Sequence, residues 1–333
     1  MPWNTASNVA DEAAFRPRLG ISSCLLGERV RYDGGHRRDR YLVSTLGSFV
    51  EWVPVCPEVE CGLPVPREAM HLVGDPEQPR LVTKKTRIDH TRTIRRWTDA
   101  RLHELSKLGL CGFIFKSNSP SSGIERIKVY DEEGRVISRK GSGIFAGAFI
   151  KRFPALPVEE DARLHDLRLR ENFIERVFVV ARWQREVQPL RGRREVLRAV
   201  IDFHSDHKLI IMAHGAVRVR ELERLTAEGK AFGPAELKKR YLTTLMHALR
   251  RPATVKKNVN VLLHILGHFK LRISAAEKQE VLEVIDLYHR GLVPLVVPIT
   301  LLSHHVRKYE LPHLMRQHYL QPHPVELMLR NHA

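Results

Sequence analysis

The sequence predicts an α/β amino-terminal domain with a mainly parallel sheet, followed by an all-α helical domain. Three observations predict it. Residues 18–153 alternate short apolar runs with an amphipathic helical stretch, the pattern of a parallel sheet with crossover helices. The texture changes across 154–161, which holds Pro154, Pro157, Glu159, Glu160 and Asp161, and the remainder reads as consecutive amphipathic helices. The charge divides too: residues 161–333 hold 30 basic and 18 acidic residues and 14 of the 18 His. The expected organisation is a flexible tail over 1–17, an α/β domain over 18–155 and a basic helical domain over 156–333.

The elements follow in order. Leu19-Gly-Ile-Ser-Ser-Cys24 reads as a short buried strand ending in a loop, and Phe49 to Val55 as a second strand before a proline-rich loop through Pro66. Ile94, Trp97, Leu102, Leu105 and Leu108 fall on one helical face. Gly112 to Lys116 reads as a third strand, with the polar loop Ser117 to Gly123 behind it, and Ile127 to Tyr130 as a fourth. Helices are expected near 165–186, 193–213, 234–250, 254–270, 275–290 and 296–309.

Composition narrows the function classes. The chain is 43% hydrophobic and 28% charged, which permits a packed core and excludes wholesale disorder. Its net charge of +17 points to an anionic partner such as nucleic acid. Basic clusters stand at Arg191-Arg193-Arg194, Lys238-Lys239-Arg240, Arg250-Arg251 and Lys256-Lys257, suited to phosphate contacts. The longest apolar run, Leu292 to Leu302, is short for a membrane span and contains Pro294 and Pro298. The opening residues lack a basic n-region and an apolar h-region. The expectation is a cytoplasmic protein without membrane association, its four Cys reduced and free for metal or catalysis.

The cysteines carry the sharpest chemical signal. Active sites of open parallel sheets lie outside the carboxyl ends of the strands. Cys24 and Cys56 each follow a strand there, and Cys61 lies in the same loop as Cys56, whereas Cys111 precedes a strand and belongs at the opposite end. Three thiols in one place suit a metal centre; singly, each is an ordinary small buried hydrophobe. An iron–sulfur cluster held by three thiolates leaves one iron open as a Lewis acid. Glu58, two residues from Cys56, is placed to move protons beside such a centre. Ser119 and Ser121, in the loop after the third strand, offer hydroxyls and backbone N–H groups for an anion or oxyanion, and Asp33 in the turn Tyr32-Asp33-Gly34-Gly35 is a candidate ligand-reading group. His204 and His207, spaced i, i+3, with His214 further on, share a helix face that can bind metal, but core or surface histidine is the better reading.

Taken together the motifs resemble a known family. Ser23-Cys24-Leu25-Leu26-Gly27, Val30-Arg31-Tyr32-Asp33-Gly34, Pro54-Val55-Cys56-Pro57-Glu58, Gly62-Leu63-Pro64-Val65-Pro66-Arg67 and Ser119-Pro120-Ser121-Ser122-Gly123 look like the bacterial thiouracil desulfidase family. The helical half, with Phe203-His204-Ser205-Asp206-His207-Lys208, Asn260-Val261-Leu262-Leu263-His264 and Pro294 to Leu302, resembles the partner domain fused to such desulfidases. The resemblance implies a 4Fe-4S cluster held by three cysteines with one open iron. Its first two ligands match Cys24 and Cys56. Its third lies in an S-P-S-C-G loop, where this sequence has Ser122. Cys61 is taken as the third ligand because it shares the loop of Cys56, with Cys111 and Ser122 as the alternatives.

The two-domain members act on 4-thiouridine in tRNA, so the resemblance implies tRNA as substrate, held by the basic helical domain. Glu58 matches the proton-transferring carboxylate and Ser119 the active-site hydroxyl, with Asp33 and Ser121 expected on the substrate. Desulfuration of this kind is a net hydrolysis and needs no nucleotide cofactor; the sequence has neither a Walker loop nor G-x-G-x-x-G. The alternatives are a desulfidase for free thiouracil and an iron–sulfur or zinc protein that binds RNA without chemistry.

Overall fold

The structure is a computed structural model and describes residues 16–270, 272–327 and 329–332. All but the last two residues of the expected tail, Arg16 and Pro17, therefore lie outside the described residues. The chain divides into two compact units between Asp166 and Leu167.

The first unit holds eight strands among the described residues: β1 (Arg18–Ser22), β2 (Glu51–Val55), β3 (Met70–Val73), β4 (Arg80–Thr83), β5 (Phe113–Phe115), β6 (Ile127–Tyr130), β7 (Val136–Gly141) and β8 (Val158–Glu160). Its helices are α1 (Pro57–Glu60), α2 (Thr91–Leu105) and α3 (Ile144–Arg152). One sheet has the order β2-β1-β5-β8 and is parallel throughout. The other, β4-β3-β6-β7, joins one parallel pair to two antiparallel ones.

Four of the five residues of β1 are buried, as expected of a central parallel strand covered on both faces. Gly20 is required there, because a Cβ at this position would sit 2.2 Å from the Phe113 ring on the neighbouring strand. Phe113 and Phe115 stack with centroids 4.1 Å apart, on the one sheet face that residues i and i+2 share. Around them Leu102 and Leu105 from α2 and Phe145 and Phe149 from α3 close the main core of this unit. The periodic face read for α2 is the face that is buried, through Ile94, Thr98, Leu102 and Leu105.

The expected boundary at 155/156 needs correction. The proline- and acid-rich stretch 154–161 belongs to the first unit, because β8 pairs with β5 through Phe113↔Val158, Ile114↔Glu159 and Phe115↔Glu160. The prolines suggested a domain boundary, yet Pro157 adds a hydrogen bond to the sheet through its carbonyl, which accepts from Phe113 N at 3.0 Å. The acids suit a short edge strand, which tolerates charge.

The second unit is helical: α4 (Leu167–Glu186), α5 (Arg193–His214), α6 (Ala216–Ala227), α7 (Pro234–Ala248), α8 (Val255–Gly267), α9 (Ala275–His289), α10 (Val296–Lys308) and α11 (Pro312–Met315). Six of the longer helices stand where the periodicity predicts them; α6 does not figure in that reading. Its core is aromatic, with Phe173, Trp183, Phe203, Tyr241, Phe269 and Tyr319 fully buried. No helix among the described residues is long and apolar enough to cross a membrane.

The basic clusters are less uniform than their sequence suggests. Lys238 donates to the carbonyls of Gln188 and Leu190, each at 3.0 Å, and Lys257 to that of His214 at 2.6 Å. These two cations satisfy carbonyl groups at helix ends and turns. Arg194, Lys239, Arg250, Arg251 and Lys256 are exposed.

Candidate functional site

Parallel pairing sends the carboxyl ends of β1, β2, β5 and β8 to one edge of the sheet. The chain leaves β1 for β2 on one side, while β5 and β8 lie on the other, so the strand order reverses beside β1 and opens a crevice there. A cavity of about 420 Å³ occupies the first unit and is lined by Cys24, Cys56, Glu58, Ser119 and Ser122 among others. That volume lies within the range of small-molecule sites.

Cys24 sits in the 3₁₀ turn Ser23–Leu25 that ends β1, and Cys56 directly follows β2 as the N-cap of α1. Both are buried. Burial pushes the Cys24 thiol up to about 11 against the pull of Lys116. Burial, reinforced by the charge of Glu58, pushes the Cys56 thiol up to about 12. These are not exposed reactive thiolates; a bound cation is what would deprotonate them.

Cys61, expected as the third ligand, is not brought to this wall. It closes the single turn of α1, with its amide bonded to Pro57 O at 3.2 Å and its Sγ donating to Glu58 O at 3.2 Å. A shared loop does not give a shared direction, because the helical turn between Cys56 and Cys61 rotates the second side chain away. Cys111 is at the far end of the sheet, its amide bonded to Arg18 O at 2.8 Å where β1 begins. Ser122 is the residue of the Ser119–Gly123 loop that lines the cavity as a buried hydroxyl.

Among the described residues no three His, Cys, Asp or Glu side chains stand close enough to hold a metal ion. The cavity offers two thiols, of Cys24 and Cys56, and several hydroxyls, that of Ser122 among them. That donor set fits a group bound through soft sulfur at two points and completed by an oxygen.

Glu58 is held from two sides. Arg67 donates to Oε2 at 3.0 Å and Ser121 to Oε1 at 2.6 Å. Ser121 in turn lies 3.0 Å from the hydroxyl of Ser119, making a continuous path Ser119–Ser121–Glu58–Arg67. Ser119 lines the cavity; Ser121 is fully buried behind the wall. Its role in the geometry is to hold the carboxylate and not to face the space a substrate would take. Asp33 also stands off the wall. Its carboxylate accepts from Gly35 N at 3.0 Å and pairs with Arg31 at 3.3 Å, so it shapes the turn while Arg31 and Tyr32 line the cavity.

The serine loop is fixed by α3. The first amides of that helix meet its carbonyls: Phe145 N to Ser121 O at 2.9 Å and Ile144 N to Pro120 O at 3.3 Å. Gly143 makes the approach possible, since a Cβ there would lie 2.4 Å from the Ser121 carbonyl carbon.

Sequence reasoning missed Arg67 and the pair Lys116–Asp161. Arg67 ends a motif that was noticed without a role. Lys116, after β5, contacts Asp161, after β8, at 2.9 Å, and Asp161 also accepts from Ser117 N at 2.7 Å. Burial acts to raise the Asp161 carboxyl, but the Ser117 amide and Lys116 hold it below its ordinary value.

His204, His207 and His214, the histidines singled out from the sequence, do not meet at a common point. His204 bonds the Tyr241 hydroxyl at 3.0 Å, His207 lies between Arg182 and Phe203 O, and His214 between Glu175 and Arg251 O. Each serves its own buried hydrogen bonds.

Comparison with known proteins agrees with this division. The model of the 2-thiouracil desulfurase family matches residues 19–161, and that of a protein of unknown function, DUF1722, matches residues 208–324. The chain is 30% identical over 134 residues to the uncharacterized protein YbgA of Escherichia coli (strain K12), a match spanning 40% of this chain and 79% of YbgA. Among solved structures, the 4Fe-4S-dependent thiouracil desulfidase TudS is 28% identical, with 45% of this chain and 95% of that one covered and a TM-score of 0.37. The chain belongs to the family of the uncharacterized protein YbgA, and its first unit is similar to the 2-thiouracil desulfurase family.

Proposed function

We propose that this protein is a desulfidase that takes the sulfur from 4-thiouridine in tRNA, leaving uridine and hydrosulfide, with a 4Fe-4S cluster seated in the cavity of the first unit. The observation that carries the reading is the meeting of two buried thiols, Cys24 and Cys56, with a carboxylate held on both oxygens by Arg67 and Ser121. Cys24 and Cys56 hold the cluster, and Ser122 is its third donor in place of Cys61, because Ser122 lines the cavity and Cys61 does not. A cluster iron without a protein ligand supplies a soft Lewis acid for thiocarbonyl sulfur.

The residues of this chain then divide the remaining work. Glu58 accepts a proton from the water that adds to C4 of the base, and Arg67 and Ser121 keep its carboxylate aimed. The Ser119 hydroxyl donates to the ring or to the charge that develops on it. The C–S bond breaks as C4 gains oxygen, sulfur leaves as hydrosulfide, and no electrons are exchanged overall.

The second unit supports RNA over a free base. It carries most of the net positive charge of the chain, with Arg194, Lys239, Arg250, Arg251 and Lys256 exposed. A base stacked inside tRNA must be displayed before chemistry at C4, which requires a grip on the backbone.

The test is anaerobic purification, iron and sulfide analysis, then hydrosulfide release from 4-thiouridine tRNA and from free 4-thiouracil at rising salt. Turnover of tRNA should fall steeply between about 50 and 200 mM salt through lost phosphate contacts, while that of the neutral base stays level. Turnover of the base with tRNA untouched would make this a free-thiouracil enzyme. Protein that takes up no iron on reconstitution would end the desulfidase reading.

A further inference from the structure

The second unit has a cavity of its own, of about 70 Å³, which the proposed desulfuration does not use. Helix α4 lines it with Glu171, Asn172 and Glu175, at the spacing of one helix face. Helix α8 adds Asn258, α9 adds Tyr288, and the segment after α11 adds Tyr319 and Arg330. The volume is far below the roughly 300–1,000 Å³ of a cofactor or drug-sized site. It holds about two waters, or one edge of a small planar molecule.

The charges here are matched from within. Arg330 reaches Glu171 at 3.3 Å and Glu175 at 3.4 Å. His214 contacts Glu175 at 2.9 Å, and His332 contacts Glu171 at 3.3 Å. Arg168, the other charged lining residue, is exposed. An ion that entered would have to break one of these contacts, a costly exchange in a buried site.

Two uncharged groups are not matched. Asn258 Nδ2 donates to the Tyr288 hydroxyl oxygen at 3.1 Å, and Asn258 Oδ1 accepts from the Tyr319 hydroxyl at 3.0 Å. The Tyr288 proton is left without an acceptor among the described residues. Turning the amide over would exchange which phenol is left and not their number, since one amide oxygen faces only one of them. On the opposite count, Asn172 Nδ2 donates to Leu249 O at 2.9 Å, which fixes its amide and leaves Oδ1 without a donor among the described residues. Tyr288 is 5% exposed and Asn172 7%. A buried donor and a buried acceptor left unmatched are costly, and the cavity is the space the two share. Pro252, Ala253 and Leu295 make part of the wall apolar. That suits the faces of an organic group better than waters, each of which needs about two to four polar partners.

We propose that this cavity binds one uncharged amide or imide edge, its carbonyl accepting from Tyr288 and its N–H donating to Asn172. A small carboxamide presents that edge, and so does a pyrimidine base. The site lies wholly in the second unit and does not depend on the desulfidase reading.

The experiment is ligand-detected saturation-transfer NMR on the full-length protein with acetamide, uracil and 1,3-dimethyluracil, titrated against wild type, Tyr288→Phe and Asn172→Ala. Acetamide or uracil should bind wild type, and bind either variant about tenfold more weakly, the effect of one lost buried hydrogen bond. Dimethyluracil keeps both carbonyls and has no N–H, so it should bind more weakly than uracil and not respond to Asn172→Ala. Tighter binding of acetamide marks a free carboxamide as the source of the edge; tighter binding of uracil marks a base. Uracil held in the first unit contributes equally to all three proteins and cancels in the comparison. Affinities that change in neither variant overturn the site and leave the cavity to water, as does dimethyluracil that binds as tightly as uracil. Should Asn172→Ala fail to fold, Tyr288→Phe, which loses one oxygen, decides alone. Hydrosulfide release from free 4-thiouracil should be equal in wild type and variants, and it reports on the first unit separately.

Discussion

Glu58 shows how much of this site depends on single side chains. Its two oxygens are occupied by different partners, Arg67 from the loop after α1 on one and the sequence-distant Ser121 on the other. Glu58→Gln keeps the shape, removes the base, and is expected to lower turnover by about 10²–10⁴-fold with iron content unchanged. Ser121→Ala removes one of two aiming contacts and should cost about tenfold in kcat. Comparing hydrosulfide release with the iron-to-protein ratio separates lost catalysis from a lost cluster. At this scale Cys24, Cys56, Glu58 and Ser119 were legible, because residues just after parallel strands gather at one edge whatever the packing behind them. Arg67 was not, because its partner is set by how the loop after α1 folds back. Cys61 misled, because spacing along a chain does not say which way a helical turn points a side chain.

Among the elements, α3 matters beyond its share of the core. Its first amides hold the carbonyls of Pro120 and Ser121, and Gly143 allows the approach. Gly143 has φ −62, a conformation any residue adopts, so the constraint is space and not backbone strain. Gly143→Ala is therefore expected to destabilise the first unit by about 1–3 kcal/mol, the usual cost of overpacking, and to displace the serine loop. Thermal denaturation with turnover measured well below the transition checks both parts; a variant with unchanged melting and activity would show that the loop has room to give. Elements with strong periodic or apolar patterns, β1, β5 and α2, were readable in advance. The second sheet was not: β3, β4 and β7 were missed, and the half-buried or exposed residues of β3 and β7 interrupt any simple apolar run. The edge strand β8 was read as the domain boundary for the same reason, since its pairing with β5 is a property of the neighbour and not of its own residues.

On the scale of the molecule, the two units use charge differently. The second unit buries a network in which one guanidinium serves two carboxylates, with Arg330 3.3 Å from Glu171 and 3.4 Å from Glu175. His214 lies 2.9 Å from Glu175 and His332 lies 3.3 Å from Glu171. Burial pushes the Glu171 carboxyl up to about 7; Arg330 opposes the rise and the charge of Glu175 adds to it. The folded unit thus holds this proton more tightly than the unfolded chain does. The stability it contributes is complete below about pH 4.5, the ordinary value, and is lost as pH rises through about 7. Glu171→Gln should flatten that part of the stability profile, read as melting temperature against pH from 4.5 to 8. A profile with the wild-type slope would assign it to other groups.

The sequence alone determined the division into a sheet-bearing half and a basic helical half. Periodicity and net charge are sums over many residues, and no single contact overturns them. It also determined that two thiols and a carboxylate would meet at one sheet edge, because strand direction and chain order settle which end each loop occupies. Tertiary structure alone decided which side chains enter the cavity of the first unit, that Ser122 and not Cys61 stands at its wall, and that Lys238 and Lys257 bind carbonyls. Those outcomes depend on side-chain direction and on distant partners, which the order of residues does not express until the chain has closed on itself.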